Sequence, residues 1–143
     1  MKDLPELQAA FGAVDDLIDQ QAGAAWHRRR LINQEAYFVL AWAQFEREVD
    51  DACRDLIRRR RADAKWELRR GFDIYNPDDR RLTGLSFDER LSFVLDRDSA
   101  EISRARAYYN LRNAIAHGTA FATGIDFEQI VPDLFAIFST LSR

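Results

Sequence analysis

Histidine, cysteine, lysine, glycine and proline are all scarce in this chain of 143 residues, and each scarcity closes off a class of protein. A single cysteine, Cys53, has no partner for an internal disulfide and fits a reducing compartment. Two histidines and one thiol fall short of a structural zinc site, so neither a metal nor another cofactor is expected. No Gly-rich turn is present to cradle a phosphate or expose a nucleophile, and Cys53 falls on an apolar stripe. That counts against a Ser/His/Asp or Cys/His hydrolase. The longest apolar run, 36–40 extended to Phe45, is far short of the roughly 20 residues that span a bilayer, so no membrane role is expected. The first residues, Met1-Lys2-Asp3-Leu4-Pro5-Glu6, bring acids early and no apolar signal core, which points to a cytoplasmic protein. The length fits one domain, 1–143, with room for a real core.

What the chain does have is arginine. Its net charge is −3, yet of its 21 basic residues only Lys2 and Lys65 are lysine. The arginines cluster at Arg28-Arg29-Arg30, Arg58-Arg59-Arg60-Arg61, Arg69-Arg70 and Arg80-Arg81. A guanidinium grips phosphate in two places at once, which an ammonium cannot do. The plain alternative is a solvated, salt-bridged helix surface. Without an overall basic balance, the clusters point to local RNA contact at most.

The apolar spacing is helical throughout. Leu4, Leu7, Phe11, Val14 and Ile18 form one stripe, with Asp3 and Glu6 placed as a capping box and Gly23 as the break beyond. Residues 24–70 contain neither Gly nor Pro, so one very long helix is allowed, carried by Phe38, Trp42, Phe45, Val49, Ala52, Cys53 and Leu56. Residues 71–84 read as a loop around Asn76-Pro77-Asp78-Asp79. Ser86 with Glu89 caps a short helix bearing Phe87, Leu91, Val94 and Leu95, and Asp98 with Glu101 opens the next. A turn-bearing connector follows at 119–125. Asp126 with Gln129 then caps a last helix with Phe127, Ile130, Val131, Leu134, Phe135, Phe138 and Leu141, in which Pro132 marks a kink or the true first turn. These patterns predict an all-α antiparallel bundle of about five helices with one long second helix.

The chemistry gathers at 108–118, Tyr-Tyr-Asn-Leu-Arg-Asn-Ala-Ile-Ala-His-Gly. On a helix, Ile102, Ala105, Tyr108, Tyr109, Leu111, Ile115 and Ala116 spread over a broad apolar face, and Arg112 projects from its middle. A charge there costs free energy unless it is paired or turned into a wet cleft. Arg106, Asn110, Asn113 and His117 follow in steps of four, three and four along one polar edge. Gly118 is placed to end the helix, which leaves His117 near an exposed terminus, and an imidazole titrates near neutral pH. A fixed cation, an amide and a proton carrier within one and a half turns suit a phosphate. The plain reading of His117 is a helix-end histidine favoured by the macrodipole. His27 has no such company and reads as a surface residue.

Arg112-Asn113-x-x-x-His117, near the end of a penultimate helix and after the aromatic-rich stretch 37–46, resembles the Arg-x4-His signature of the HEPN domains. The resemblance covers most of the chain in architecture and about six residues in diagnostic motif. It implies a small all-α domain of a kind often found as RNA-cutting toxins or phage-defence effectors. It also implies a homodimer through the motif helix, whose two protomers complete one cleft. RNA would be cut without metal by attack of its own 2′-hydroxyl, giving 2′,3′-cyclic phosphate and 5′-hydroxyl ends. Such chemistry needs a proton carrier and a cation on the non-bridging oxygens, roles that fall to His117 and Arg112. Asn113 would orient the imidazole or hold a phosphate oxygen. Glu46 resembles the acidic residue many HEPN domains carry on the second helix and is the first choice to brace Arg112, with Glu48 the second. Arg106 and Tyr109 are candidate RNA contacts, although a solvated role for Arg106 and core packing for Tyr109 are the plainer readings. Some HEPN toxins carry, two residues past the histidine, a tyrosine at which a partner nucleotidyltransferase silences them. Thr119 stands there in this chain, which removes support for that regulation but leaves a cognate antitoxin or other regulator among the expected partners. The competing expectations are a non-catalytic HEPN-like module that binds nucleotide or RNA, and a protein-interaction module that docks a partner on its long helix.

Overall fold

A computed structural model of the chain describes residues 1–21, 23, 25–79, 82, 84–118 and 125–141. Among the described residues there are six helical segments and no strand. Helix α1 (Leu4–Gln20) begins after Asp3 as the sequence suggests, but no capping box forms. Asp3 has a near-helical backbone (φ −92°, ψ 1°) instead of the extended one that aims a cap side chain at the first turn, and its carboxylate accepts nothing there.

Helix α2 (Trp26–Arg61) is 36 residues long, about 54 Å at 1.5 Å per residue. Its buried stripe contains Phe38, Trp42, Phe45, Val49, Ala52 and Cys53 as expected. Four residues past Cys53 the stripe continues to Ile57, fully buried, and Leu56 is only partly covered. The helix stops without help from glycine or proline, short of the run to Arg70 that the sequence allows. The Asp63 carboxylate accepts a 2.9 Å hydrogen bond from the Lys65 backbone N–H, a local alternative that competes with the next helical turn. A single turn, α3 (Trp66–Arg69), follows.

The described residues of the stretch 71–84 fold back over the end of α2. Asn76 Oδ1 accepts from the Asp78 N–H at 3.1 Å, the turn chemistry its sequence promised. Arg61 donates to the Tyr75 carbonyl at 3.2 Å, and Arg58 pairs with Asp78 at 3.1 Å. Phe72 and Tyr75 pack their rings against Phe93 of α4 (Phe87–Val94), with centroids 5.8 and 5.5 Å apart. The chain's own return therefore covers one side of the distal turns of α2, with Ile57 inside, while Arg58 to Arg61 stay exposed. Part of this return, at 80, 81 and 83, lies outside the described residues, and with it the Arg80-Arg81 cluster.

Local capping sets the remaining starts. Ser86 and Glu89 form the full capping box of α4. Helix α5 (Ala100–Ala116) is capped by Ser99, whose hydroxyl accepts from the Ile102 N–H at 3.2 Å, one residue later than Asp98 suggested. Asp126 caps α6 (Phe127–Ser139) through the Gln129 N–H at 3.1 Å. Pro132 lies inside α6 on its exposed side and does not mark the first turn. The expected connector at 119–125 lies, except for the buried Ile125, outside the described residues.

Helix α2 is the axis, since each of the other five helices packs against it. Around it the order is α1, α6, α5, α4, each touching the next. Helix α1 runs back along α2, as Phe11 meets Tyr37 and Asp15 pairs with Arg30 at 2.8 Å. Helix α4 runs with α2, because Phe87 touches Trp42 and Arg90, one turn on, reaches Asp50. That is a departure from a purely antiparallel bundle, made possible by the long return at 71–85.

Candidate active site at the end of helix α5

Helix α5 is anchored early and exposed late. Ile102 and Ala105 are fully buried, and Tyr108, Tyr109, Leu111 and Ile115 are half-buried against the core. Ala116, counted on the apolar face from spacing alone, is exposed. His117 is the C-cap, with its N–H donating to the Asn113 carbonyl at 3.0 Å, and its side chain stands in solvent. Gly118 closes the turn at φ +68°, a left-handed conformation that favours glycine, and donates to the Ile115 carbonyl at 2.9 Å. The helix end is where the sequence placed it.

Arg112 leaves the half-buried side of α5 and meets two groups. Its Nη1 donates to Asn113 Oδ1 at 3.0 Å, and its Nη2 lies 4.0 Å from Glu46 Oε2 on α2. The side chains of Arg112 and Glu46 are 36% and 28% exposed, so the guanidinium is oriented and still reachable. An ion pair this wet contributes about 0–1 kcal/mol, which makes it an orienting contact more than a stabilising one. Glu46, the first choice from sequence, is thus the acid beside Arg112, and Glu48 is engaged with the Met1 amino group.

Arg112, Asn113 and Glu46 are brought together, and the exposed His117 stands further along α5 at its C-cap. Five residues separate it from Arg112, which puts the two about 140° apart around the helix and about 7.5 Å apart along it. Asn113 is nearer to His117, about 40° and one turn away. A single protomer therefore displays the cation and the imidazole on different sides of the same helix end.

The other two candidates are occupied. Arg106 forms a two-pronged pair with Asp88 of α4, with Nη2 donating to Oδ2 at 3.0 Å. This pair holds the Asp88 carboxyl below its usual range, chiefly through the hydrogen bond from Arg106, and ties α5 to the start of α4. Tyr109 packs on Phe87 at 4.9 Å and on Trp42 at 6.3 Å between ring centroids. It is a half-buried ring packed against the core.

One element of the site was not legible from sequence. Asp133 of α6 accepts from the Tyr108 hydroxyl at 2.6 Å and lies 3.5 Å from Arg104, so one carboxylate holds two residues of α5 one turn apart. Burial first, and then the bond to Asp133, pushes the Tyr108 phenol well above its usual value. This strut sits one turn before Arg112 and fixes the rotation of α5 about its own axis. A lone Asp in an apolar helix face was the available signal.

Helix α2 carries a second exposed feature next to Glu46. Ile32, Ala36, Leu40 and Ala43, spaced four, four and three, all face solvent, with Ile32 55% and Leu40 50% exposed. Ala43 lies one turn before Glu46, so this apolar stripe leads to the Arg112 contact. Among the described arginine clusters, three members are held by carboxylates. Arg30 pairs with Asp15, Arg58 with Asp55 and Asp78, and Arg69 lies 3.9 Å from Asp73. His27 stacks on Trp26 at the surface.

No family model, no curated protein and no solved structure matches this chain.

Proposed function

We propose that this chain is a homodimeric endoribonuclease of the HEPN kind, cutting RNA by 2′-hydroxyl attack without a metal, in the service of a toxin or defence system. In that reaction the 2′-oxygen bonds to phosphorus as the bond to the 5′-oxygen breaks. One proton leaves the attacking hydroxyl and one is delivered to the departing oxygen. Arg112 stabilises charge on the non-bridging oxygens, His117 moves a proton, and Asn113 with Glu46 sets the posture of the guanidinium. The observation that carries the reading is the half-exposed Arg112, oriented by Glu46 and Asn113 one and a half turns before an exposed His117.

The divergence of Arg112 and His117 on α5 is why the reading requires two copies. Two-fold symmetry places both imidazoles and both guanidinia around one cleft, so one imidazole can accept a proton as the other donates. The exposed Ile32–Leu40 stripe beside Glu46 supplies an apolar surface for that pairing.

The same divergence favours a second reading, a non-catalytic module that binds a nucleotide or RNA through Arg112 and leaves it uncut. The test is an RNA-cleavage assay in EDTA with wild type, His117→Ala and Arg112→Ala, read by the chemistry of the new ends. Cyclic-phosphate ends from wild type, reduced by about 10²–10⁴ in His117→Ala, are the expected result. Binding with no cutting by a folded dimer establishes the second reading, and equal cutting by wild type and His117→Ala removes His117 from the chemistry.

A further inference from the structure

The far end of α2 carries a surface that the fold does not use. Of the arginines at 58–61 and 69–70, Arg58 and Arg69 pair with carboxylates and Arg59 and Arg61 bond backbone carbonyls, whereas Arg60 and Arg70 have neither kind of partner among the described residues, and both are exposed. Their neighbours differ: Arg58 is held by Asp55 and Asp78, Arg61 by the Tyr75 carbonyl and Arg69 by Asp73. Arg60 and Arg70 line one shallow depression of about 360 Å³ together with Glu67, Leu68, Gly71 and Phe72. Next to it stands Trp66, 56% exposed, whose ring is covered on one side by the Arg70 guanidinium at 5.0 Å from its centroid. Leu68 is 43% exposed and Ile74 79%, so the region is both cationic and apolar.

We infer that this surface is a binding site for single-stranded RNA, separate from the α5 site. Two guanidinia without a carboxylate partner among the described residues, one of them resting on Trp66, offer planar, bidentate contact to backbone phosphates. The exposed Trp66 indole, with Arg70 against one face, is a platform on which any base can stack, and the combination of cationic groove and aromatic ring grips a strand without reading its sequence. Burying Trp66 would have cost the fold nothing in polar groups beyond one N–H, yet α3 presents it to solvent. Arg60 lies fourteen residues beyond Glu46, about 21 Å along α2. A strand held here is gripped apart from the α5 helix end, so the surface contributes affinity and leaves the chemistry to Arg112 and His117. The inference deepens the ribonuclease reading by naming single strands as its substrate. It rests on that reading only for the choice of RNA over DNA.

The test uses a short labelled oligothymidylate, which has no 2′-hydroxyl to attack and so reports binding by the wild-type protein with no contribution from cleavage. Expected is salt-sensitive binding that quenches tryptophan fluorescence. Arg60→Ala with Arg70→Ala should reduce the slope of log affinity against log salt by about 1.4, at about 0.7 per lost phosphate contact. Trp66→Ala should weaken binding about tenfold and abolish the quench, and Glu67→Gln should tighten binding by removing a negative charge from the lining. Unchanged affinity and slope in these variants overturns the inference. So does tighter binding to phosphatidylserine vesicles than to the oligonucleotide, which would make the surface a lipid site. Binding here together with no RNA cleavage in EDTA would sink the ribonuclease and leave this surface standing.

Discussion

Leu40→Glu, alone and with Ile32→Glu, puts the two-copy site at risk most directly. Both side chains are about half exposed in the single chain. Complete burial of a Leu or Ile stabilises by about 1.5–3 kcal/mol, so about 1 kcal/mol per side chain remains to be gained on pairing. A two-fold axis uses each residue twice. Losing Leu40 therefore removes about 2 kcal/mol from association, roughly a 30-fold weaker dimer, and losing both residues removes about 4 kcal/mol, close to three orders of magnitude. Carboxylates facing each other across the axis add to that loss. Sedimentation equilibrium should show wild type as a dimer and the double variant as a monomer of unchanged helicity, with RNA cleavage lost in parallel. Ile74→Glu, on the return at the other end of α2, is the control and should leave the dimer intact. A double variant that dimerises like wild type would remove the stripe from the interface. A monomer that cuts RNA at the wild-type rate would refute the two-copy site itself.

Two further predictions concern the scaffold. Tyr108→Phe deletes the donor to Asp133 and should lower stability by about 1–2 kcal/mol, read as a lower urea midpoint, because a bond to a charged acceptor is lost although Arg104 stays beside it; an unmoved midpoint would mean the strut contributes nothing. Cys53, fully buried, has its thiol pushed up from 9.0 to about 11, by burial first and by Asp50 second, against the opposing pull of Arg90 and Arg54. A raised value means the folded state holds its proton longer, so this contribution is complete below the ordinary thiol range and is lost as pH climbs from about 9 towards about 11. Thiol labelling at pH 8 should accordingly proceed only through unfolding, and prompt labelling of the native protein would contradict the assignment.

How much of this was legible beforehand depended on sequence distance. The stripe Phe38, Trp42, Phe45, Val49, Ala52 and Cys53, the caps Ser86–Glu89 and Asp126–Gln129, and the Gly118 stop were all readable, because each is decided by side chains within four residues of one another. The misses at similar range have local causes too. Asp3 sits in the wrong backbone conformation to cap, Ser99 outcompetes Asp98, and Asp63 ends α2 with a turn where composition allowed more helix. The candidate site divides in the same way. Arg112, Asn113 and His117 lie within two turns of one helix, and their spacing announces them.

Only the tertiary structure decided which of these charges are spent and which are offered. Arg106 faces a carboxylate eighteen residues away and Arg90 one forty residues away, whereas Arg60 and Arg70 face none among the described residues. Tyr108 and Asp133 meet across 25 residues of chain. Such pairings depend on how α4, α5 and α6 cross the long helix, and a pattern read three or four residues at a time carries no information about that crossing. The sequence by itself determined five of the six helices, most of their apolar faces and the motif. The packing around α2 determined that Arg112 is braced and reachable, that Tyr109 packs against the core, and that Arg60 and Arg70 stay exposed.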